Sequence, residues 1–313
     1  MAEPVALAAL TLEAALGWPT RLHAVTGHPV GLFARMIRSC ERRLNRGPAA
    51  PAPRRRVAGA IAMALLLLPV VSVTAAMQAV VHALAGAWSW PILALLAWPA
   101  IAARSLDDHV RPIRDALMRG DLAESRRSVG MIVGRDTARL DTPGIARAAI
   151  ESLAESFCDG VVAPLFWLVL LGLPGVWALK AINTADSLIG HREEPFGPYG
   201  WAAARLDDAV MLIPARLSGL LLCVAGGGGW KVMARDHARH ASPNAGWPEA
   251  AMAGALGVRL AGPVAYDGLL AAKPWIGEEG RDADARGLDR ALTIYRRACV
   301  ILGIMAMGVA WLA

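Results

Sequence analysis

No Asp, Glu, Lys or Arg occurs between Val57 and Ala103. Charge is scarce overall, at 19% of residues against 56% hydrophobic, where a soluble domain carries roughly 25% charged residues. As a single helix the run would be ~70 Å long, at about 1.5 Å per residue. A bilayer hydrocarbon core is only ~30 Å thick. The run therefore reads as two crossings with a turn, which excludes a disordered chain, a fibrous protein and an ordinary soluble enzyme. Cysteine is also sparse. Cys40, Cys158, Cys223 and Cys299 are widely spaced and form no C-x-x-C, which argues against a disulfide framework or a zinc site. There is no G-x-x-x-x-G-K-[ST] loop, so any ATP use needs a different phosphate cradle. Basic stretches without interleaved aromatics argue against nucleic acid. No internal repeat is visible, which counts against an inverted-repeat transporter. Residues 1–17 contain Glu3 and Glu13 and no basic n-region, so they read as a short hydrophobic helix rather than a signal peptide.

What is present is a basic, apolar chain of 313 residues with a formal charge of +6 and a mean hydropathy of +0.42. Arginines crowd residues 35–56, followed by the charge-free run. The spacing predicts apolar segments at about 4–17, 57–79, 83–103, 160–179, 209–230 and 298–313. Two of these are broken: 160–179 by Gly172, Pro174 and Gly175, and 209–230 by Pro214 and Arg216. Arg-rich stretches flank the first hairpin and should lie in the cytoplasm. The broken segments could turn back as re-entrant helices, tolerated where protein or a water-filled cavity covers them. The expected fold class is all-α: a polytopic membrane helical protein of four to five spans or re-entrant segments. Helical cytoplasmic loops would join these into one membrane-embedded catalytic domain over 1–313.

Several clusters could carry chemistry. Glu151, Glu155 and Asp159 stand at i, i+4 and i+8, an acidic stripe running into an apolar segment. Like charges at that spacing destabilise a helix, and a carboxylate near a membrane needs a partner. The stripe reads either as a divalent-metal site or as a solvated or Arg-paired face. Lys180, Asn183 and Asp186 abut an apolar helix end, and Arg205, Asp207 and Asp208 follow closely. Arg216 lies within an apolar stretch, where an ionisable residue is a functional candidate; the alternative is a snorkelling arginine or an ion pair with Asp207 or Asp208. Arg135 in V-G-R-D-T could bind phosphate, or the segment could simply cap a helix. Ser242, Asn244 and Glu249 follow a donor-rich run that includes His237 and His240.

Together these segments resemble the cobinamide-phosphate synthase family of cobalamin biosynthesis. The resemblance is carried by His28-Pro-Val, Ile132-Val-Gly-Arg-Asp-Thr137 and Ile150-Glu-Ser-Leu-Ala-Glu155 with Asp159-Gly160. It continues through Lys180-Ala-Ile-Asn-Thr-Ala-Asp-Ser187, Ala204-Arg-Leu-Asp-Asp208, Ile213-Pro-Ala-Arg216, and Ser242-Pro-Asn244 with Gly246-Trp-Pro-Glu-Ala-Ala251. The chain departs from the family pattern at Trp18, Ser156 and Ala241. The resemblance implies an integral membrane enzyme that uses ATP to join adenosylcobyric acid to aminopropanol or aminopropanol phosphate. Its product would be adenosylcobinamide or its phosphate.

A free carboxylate does not react with an amine at neutral pH, so activation as an acyl phosphate or acyl adenylate is expected. That step calls for Mg²⁺, held by carboxylates and phosphate oxygens, and for cations around the transferring group. On this reading Glu155, Asp159, Asp186 and Asp208 are the expected catalytic carboxylates. Glu151, Glu155, Asp159 and Asp207 would hold the metal. His28, Arg135, Lys180, Asn183, Arg205, Arg216, Ser242, Asn244 and Glu249 would bind substrate or phosphate. The expected setting is the inner membrane with the site facing the cytoplasm, beside other membrane-bound late cobalamin enzymes. A transporter of a corrinoid or phosphorylated solute is the rival reading, and a non-catalytic scaffold a third.

Overall fold

The computed structural model describes residues 4–19, 27, 29–134, 136–266, 269–271 and 273–312. Its contacts divide into two compact units. The first comprises 1–101, 163–211 and 309–313; the second comprises 102–162 and 212–308.

In the first unit, α1 (Val5–Leu16) and α2 (Val30–Leu44) precede the long α3 (Ala52–Ala85) and the short α4 (Ser89–Ala97). Helix α2 is amphipathic, burying Phe33 and Ile37. Helix α3 continues through Pro69 and ends only at Gly86, whose φ of +50° suits a residue without a side chain. The helix therefore ends in a turn at Gly86–Trp88, later than the expected 80–82, and the nine-residue α4 that follows is too short, at about 1.5 Å per residue, to be the expected second crossing by itself. No residue before Gly86 both breaks the helix and frees the backbone. Leu68 and Leu84 on α3 are 67% and 84% exposed, as a lipid-facing surface requires.

Helix α8 (Ala163–Ile189) is kinked at Gly172, with φ +66° and ψ −149°. The expected break is present, and its chemistry is visible. The Leu173 N–H, freed by the kink, donates to Gln78 Oε1 at 2.8 Å. A side chain at 172 would meet that oxygen at 2.2 Å. Helix α9 (Gly197–Val210) packs on both α3 and α8. All three approach through glycines: a Cβ at Gly59 would lie 1.9 Å from the Tyr199 carbonyl, and one at Gly200 only 1.6 Å from the Ile189 carbonyl. Small residues permit this closeness, which is how helices associate within lipid.

The second unit holds α5 (Ala103–Met118), α6 (Leu122–Gly130) and α7 (Thr142–Phe157). Asp141 caps α7, accepting the Gly144 N–H at 2.9 Å. Helix α7 runs into a π turn at Cys158–Val162. Then come α10 (Leu212–Gly226), α11 (Trp230–Asp236) and α12 (Gly246–Leu256). The second broken segment breaks at Met211 rather than at Pro214. Pro214 falls in the first turn of α10, where its missing N–H has no helical partner to lose.

Four short strands, which the all-α expectation omits, follow α12. β1 (Leu260–Ala261) pairs antiparallel with β4 (Trp275–Ile276), and β2 (Val264–Tyr266) with β3 (Leu269–Ala271). Helix α13 (Ala285–Leu312) begins thirteen residues before the expected 298. Its Tyr295 packs edge-on against Phe157 at 5.6 Å, and both are fully buried. The architecture is nevertheless overwhelmingly helical, and the chain is a polytopic membrane protein. Among the described residues three helical stretches are long and apolar enough to cross a membrane, four if α9 and α10 count as one bent span.

Candidate functional site

In the first unit, the close α8–α9 contact brings two polar segments together. Asn183 Nδ2 donates to Asp207 Oδ1 at 2.6 Å. That bond fixes the amide's orientation, and Asn183 Oδ1 is left buried with no partner among the described residues. Asp186 lies one turn further along α8, half-buried, within electrostatic reach of Asp208 and His191. Its carboxylate lies over Gly190, where a Cβ would meet Oδ1 at 2.0 Å. Arg205 pairs with Asp208 at 3.0 Å. Lys180 stands one turn before Asn183, its carbonyl accepting the Thr184 hydroxyl at 2.6 Å. The result is a patch of three carboxylates, an amide and two cationic residues on two adjacent helices.

In the second unit, the acidic stripe divides. Glu151 Oε1 accepts the Ala261 N–H at 2.8 Å and lies 3.9 Å from Arg147. It anchors β1 to α7. Glu155 is exposed and Asp159 half-buried. Asp159 sits within the π turn, so the regular i, i+4 face ends at Glu155. Such turns recur at functional sites. The turn is pinned to α5: the Ala102 N–H donates to Gly160 O at 2.8 Å, and a Cβ at 160 would lie 3.3 Å from that of Ala102. Among the described residues no three His, Cys, Asp or Glu side chains converge closely enough to cage a metal. Mg²⁺ rarely needs such a cage. One or two carboxylates suffice when substrate phosphates and waters supply the rest.

A second cluster in this unit joins α10 to the start of α12. Arg216 donates to Asn244 Oδ1 at 3.2 Å and to the Leu212 carbonyl at 2.7 Å. Its guanidinium lies 4.8 Å from the centre of the Trp247 ring. The other partner of that ring is His237, stacked at 3.9 Å. Ser242 Oγ accepts the N–H groups of Asn244 and Ala245 at 3.2 and 3.3 Å, so its hydroxyl shapes the turn. His240 Nδ1 accepts the Ser242 N–H at 3.0 Å, and Nε2 lies 3.7 Å from buried Glu249. Burial holds His240 below the ordinary imidazole range, so at neutral pH the imidazole is uncharged and the contact is not an ion pair. Gly246 is fixed by crowding, because a Cβ there would meet the His237 carbonyl at 2.0 Å.

The sequence-derived residues therefore fall into three groups. Asn183, Asp186, Arg205, Asp207 and Asp208 come together beside Lys180 in the first unit. Glu151, Glu155 and Asp159 line α7 and its π turn, which pack against α12 and α10. Arg216, Ser242, Asn244 and Glu249 meet between α10 and α12. His28 and Arg135 lie outside the described residues. Arg216 contacts Asn244 and Trp247 within the second unit.

Two features had no sequence signal strong enough to find them. Trp247 is sandwiched by His237 and Arg216; stacking is not encoded by spacing. Asp236 is fully buried, bound by Arg235 through both carboxylate oxygens at 2.7 Å and by the Gly277 N–H at 2.8 Å. The Arg235 guanidinium, backed by Gly277 and Arg239, holds Asp236 below the usual carboxylate range.

Residues 6–295 match the family described as "CobD/Cbib protein". A Rhodobacter capsulatus protein titled "Cobalamin biosynthesis protein CobD" is 46% identical over 309 residues, covering 96% of each chain. Proteins with the same title are 41% identical over 315 residues in a Sinorhizobium species, covering 96% of each chain. In Geobacter metallireducens the figure is 42% over 320 residues, covering 97% of this chain and 95% of that one. No solved structure matches the chain.

Proposed function

The chain belongs to the CobD/Cbib family, and from that premise we propose that it is an amide-forming enzyme of cobalamin biosynthesis. On this reading it joins adenosylcobyric acid to aminopropanol or aminopropanol phosphate at the expense of ATP. The observation that carries it is the family match over residues 6–295, within which lies the polar patch of Asn183, Asp186, Asp207 and Asp208.

The donor set suits a magnesium nucleotide. The hard carboxylate oxygens of Asp186, Asp207 and Asp208 on two adjacent helices would hold the ion; in the second unit Glu155 and Asp159 offer a separate pair. Bound as its magnesium complex, ATP supplies the group that makes a substrate carboxylate electrophilic. Lys180 and Arg205 would neutralise phosphate charge as it shifts. Asn183 Oδ1, an acceptor already oriented by the Asp207 bond, would receive a substrate N–H or O–H. An ammonium group must lose its proton before it attacks, and a carboxylate near it serves as acceptor; Asp208 and Glu155 are the candidates. The Arg216–Trp247–His237 stack holds a cation in place against an aromatic ring, suited to an anionic group of the substrate.

The site would face the cytoplasm at the inner membrane, where ATP is available. Phosphorus NMR of purified protein in detergent tests this reading. Nucleotide consumption should require adenosylcobyric acid and an amine together. Consumption with neither, or none with both, would remove the ligase reading and leave a transporter or scaffold.

A further inference from the structure

The basic entrance to the first crossing carries a feature that the proposed chemistry does not use. A pocket of about 410 Å³ lies where α3 begins, lined by Leu44, Arg46, Pro51, Arg54, Arg55 and Ala58 among others. Arg46 and Arg54 are exposed. Arg55 is only 3% exposed. It forms a bidentate pair with Glu194 at 2.9 and 2.8 Å and donates to the Pro195 carbonyl at 2.6 Å. Its Nε is buried and has no partner among the described residues. Arg55 is thus spent on Glu194, and Arg46 and Arg54 are the exposed donors that an acceptor in the pocket would meet.

The surroundings say what kind of acceptor. Three guanidinium groups line one headgroup-sized hollow, and Arg favours phosphate because its planar fork binds two oxygens at once. Among the described residues no carboxylate lines the pocket. Immediately beyond it the chain enters its charge-free run at Val57. Immediately before it lies amphipathic α2, with Arg35, Arg38, Arg42 and Arg43. Basic pockets at the ends of spanning helices face the anionic leaflet surface. We propose that the Arg46–Arg54–Arg55 pocket is a phosphate site, filled at the membrane surface by the headgroup of an anionic phospholipid.

Native mass spectrometry of the full chain in detergent tests this, titrating phosphatidylglycerol or phosphatidylcholine. Phosphatidylglycerol should be retained preferentially. In the double variant Arg46→Gln/Arg54→Gln that retention should weaken by ~30-fold, about one power of ten for each 1.4 kcal/mol at roughly 1 kcal/mol per surface arginine. Arg55 is kept, because its pair with Glu194 holds the fold. Arg46→Lys/Arg54→Lys should keep more of the preference than the glutamine pair but less than the parent, because lysine keeps the charge and loses the fork, which separates charge from misfolding. A parallel titration adds inorganic phosphate. If it displaces the lipid at equal concentration, the source is a soluble phosphate and the lipid assignment falls. Equal retention of both lipids, or unchanged retention in the glutamine variant, overturns the site itself.

Discussion

Gly200→Ala is the smallest change that should dismantle the α8–α9 patch. A Cβ at 200 would stand 1.6 Å from the Ile189 carbonyl oxygen, 2.7 Å from its carbon and 3.2 Å from Gly190 Cα. All three are backbone atoms, so no side chain can swing aside. Ordinary contact begins near 3.4 Å, and α9 must therefore withdraw by ~1.8 Å. Overpacking of this kind costs about 1–3 kcal/mol. The functional effect should be larger than the stability effect. Withdrawal would stretch the 2.6 Å Asn183–Asp207 bond beyond hydrogen-bonding range, and a misplacement of about 1 Å can cost ~100-fold in turnover. Turnover at saturating ATP should fall by ~100-fold, while scanning fluorimetry should show a drop in Tm of roughly 3–10 °C. Gly308→Ala is the control: nothing lies within 4 Å of its would-be Cβ, and alanine favours helix over glycine. Turnover of the Gly200 variant within about twofold of the parent, with Tm unchanged, would refute the close-packed α8–α9 geometry on which the patch depends.

Three further outcomes are expected. Glu155→Gln and Asp159→Asn should each lower turnover by at least about tenfold at limiting Mg²⁺ with monodispersity intact; normal turnover in both would mark the stripe as a solvated face. His240 is held below its unfolded value of 6.5 by burial, so the unfolded chain binds the extra proton. Its contribution to stability is complete above about pH 6.5 and is lost as pH falls below that value. Tm against pH should therefore be flatter between pH 7 and 5 in His240→Gln, and an identical slope would contradict the assignment. A cysteine at Pro198, on a background lacking the four native cysteines, should resist an impermeant thiol reagent added to intact cells; labelling from outside would place residues 180–208 on the far face of the membrane.

Much of this molecule is legible in its sequence, because a bilayer punishes charge so heavily. The run from Val57 to Ala103 announces an apolar, membrane-suited stretch, and Gly172 announces its kink. The polar segments around Asn183 and Asp207 stand out against apolar neighbours. What is not legible depends on contacts between distant residues. Gln78 completes the Gly172 kink from another helix, and nothing near Gln78 reveals that role. Glu151 looks equivalent to Glu155 by spacing, yet the Ala261 N–H claims its carboxylate. Arg216 suggests a carboxylate partner, but it stacks on Trp247. The π turn at Cys158–Val162 leaves no mark on a helical pattern, though it sets where Asp159 stands. Pro214 reads as a breaker but occupies a first turn, where proline is harmless.

Mass spectrometry of the corrinoid product tests the account most directly. Purified protein incubated with adenosylcobyric acid, aminopropanol phosphate, ATP and Mg²⁺ should give a new corrinoid. Its mass should equal that of the acid plus the amine less one water, and it should be absent without ATP and strongly reduced in Asn183→Ala. Monodisperse protein that yields no such species with either aminopropanol or its phosphate would contradict amide formation as the function of this chain.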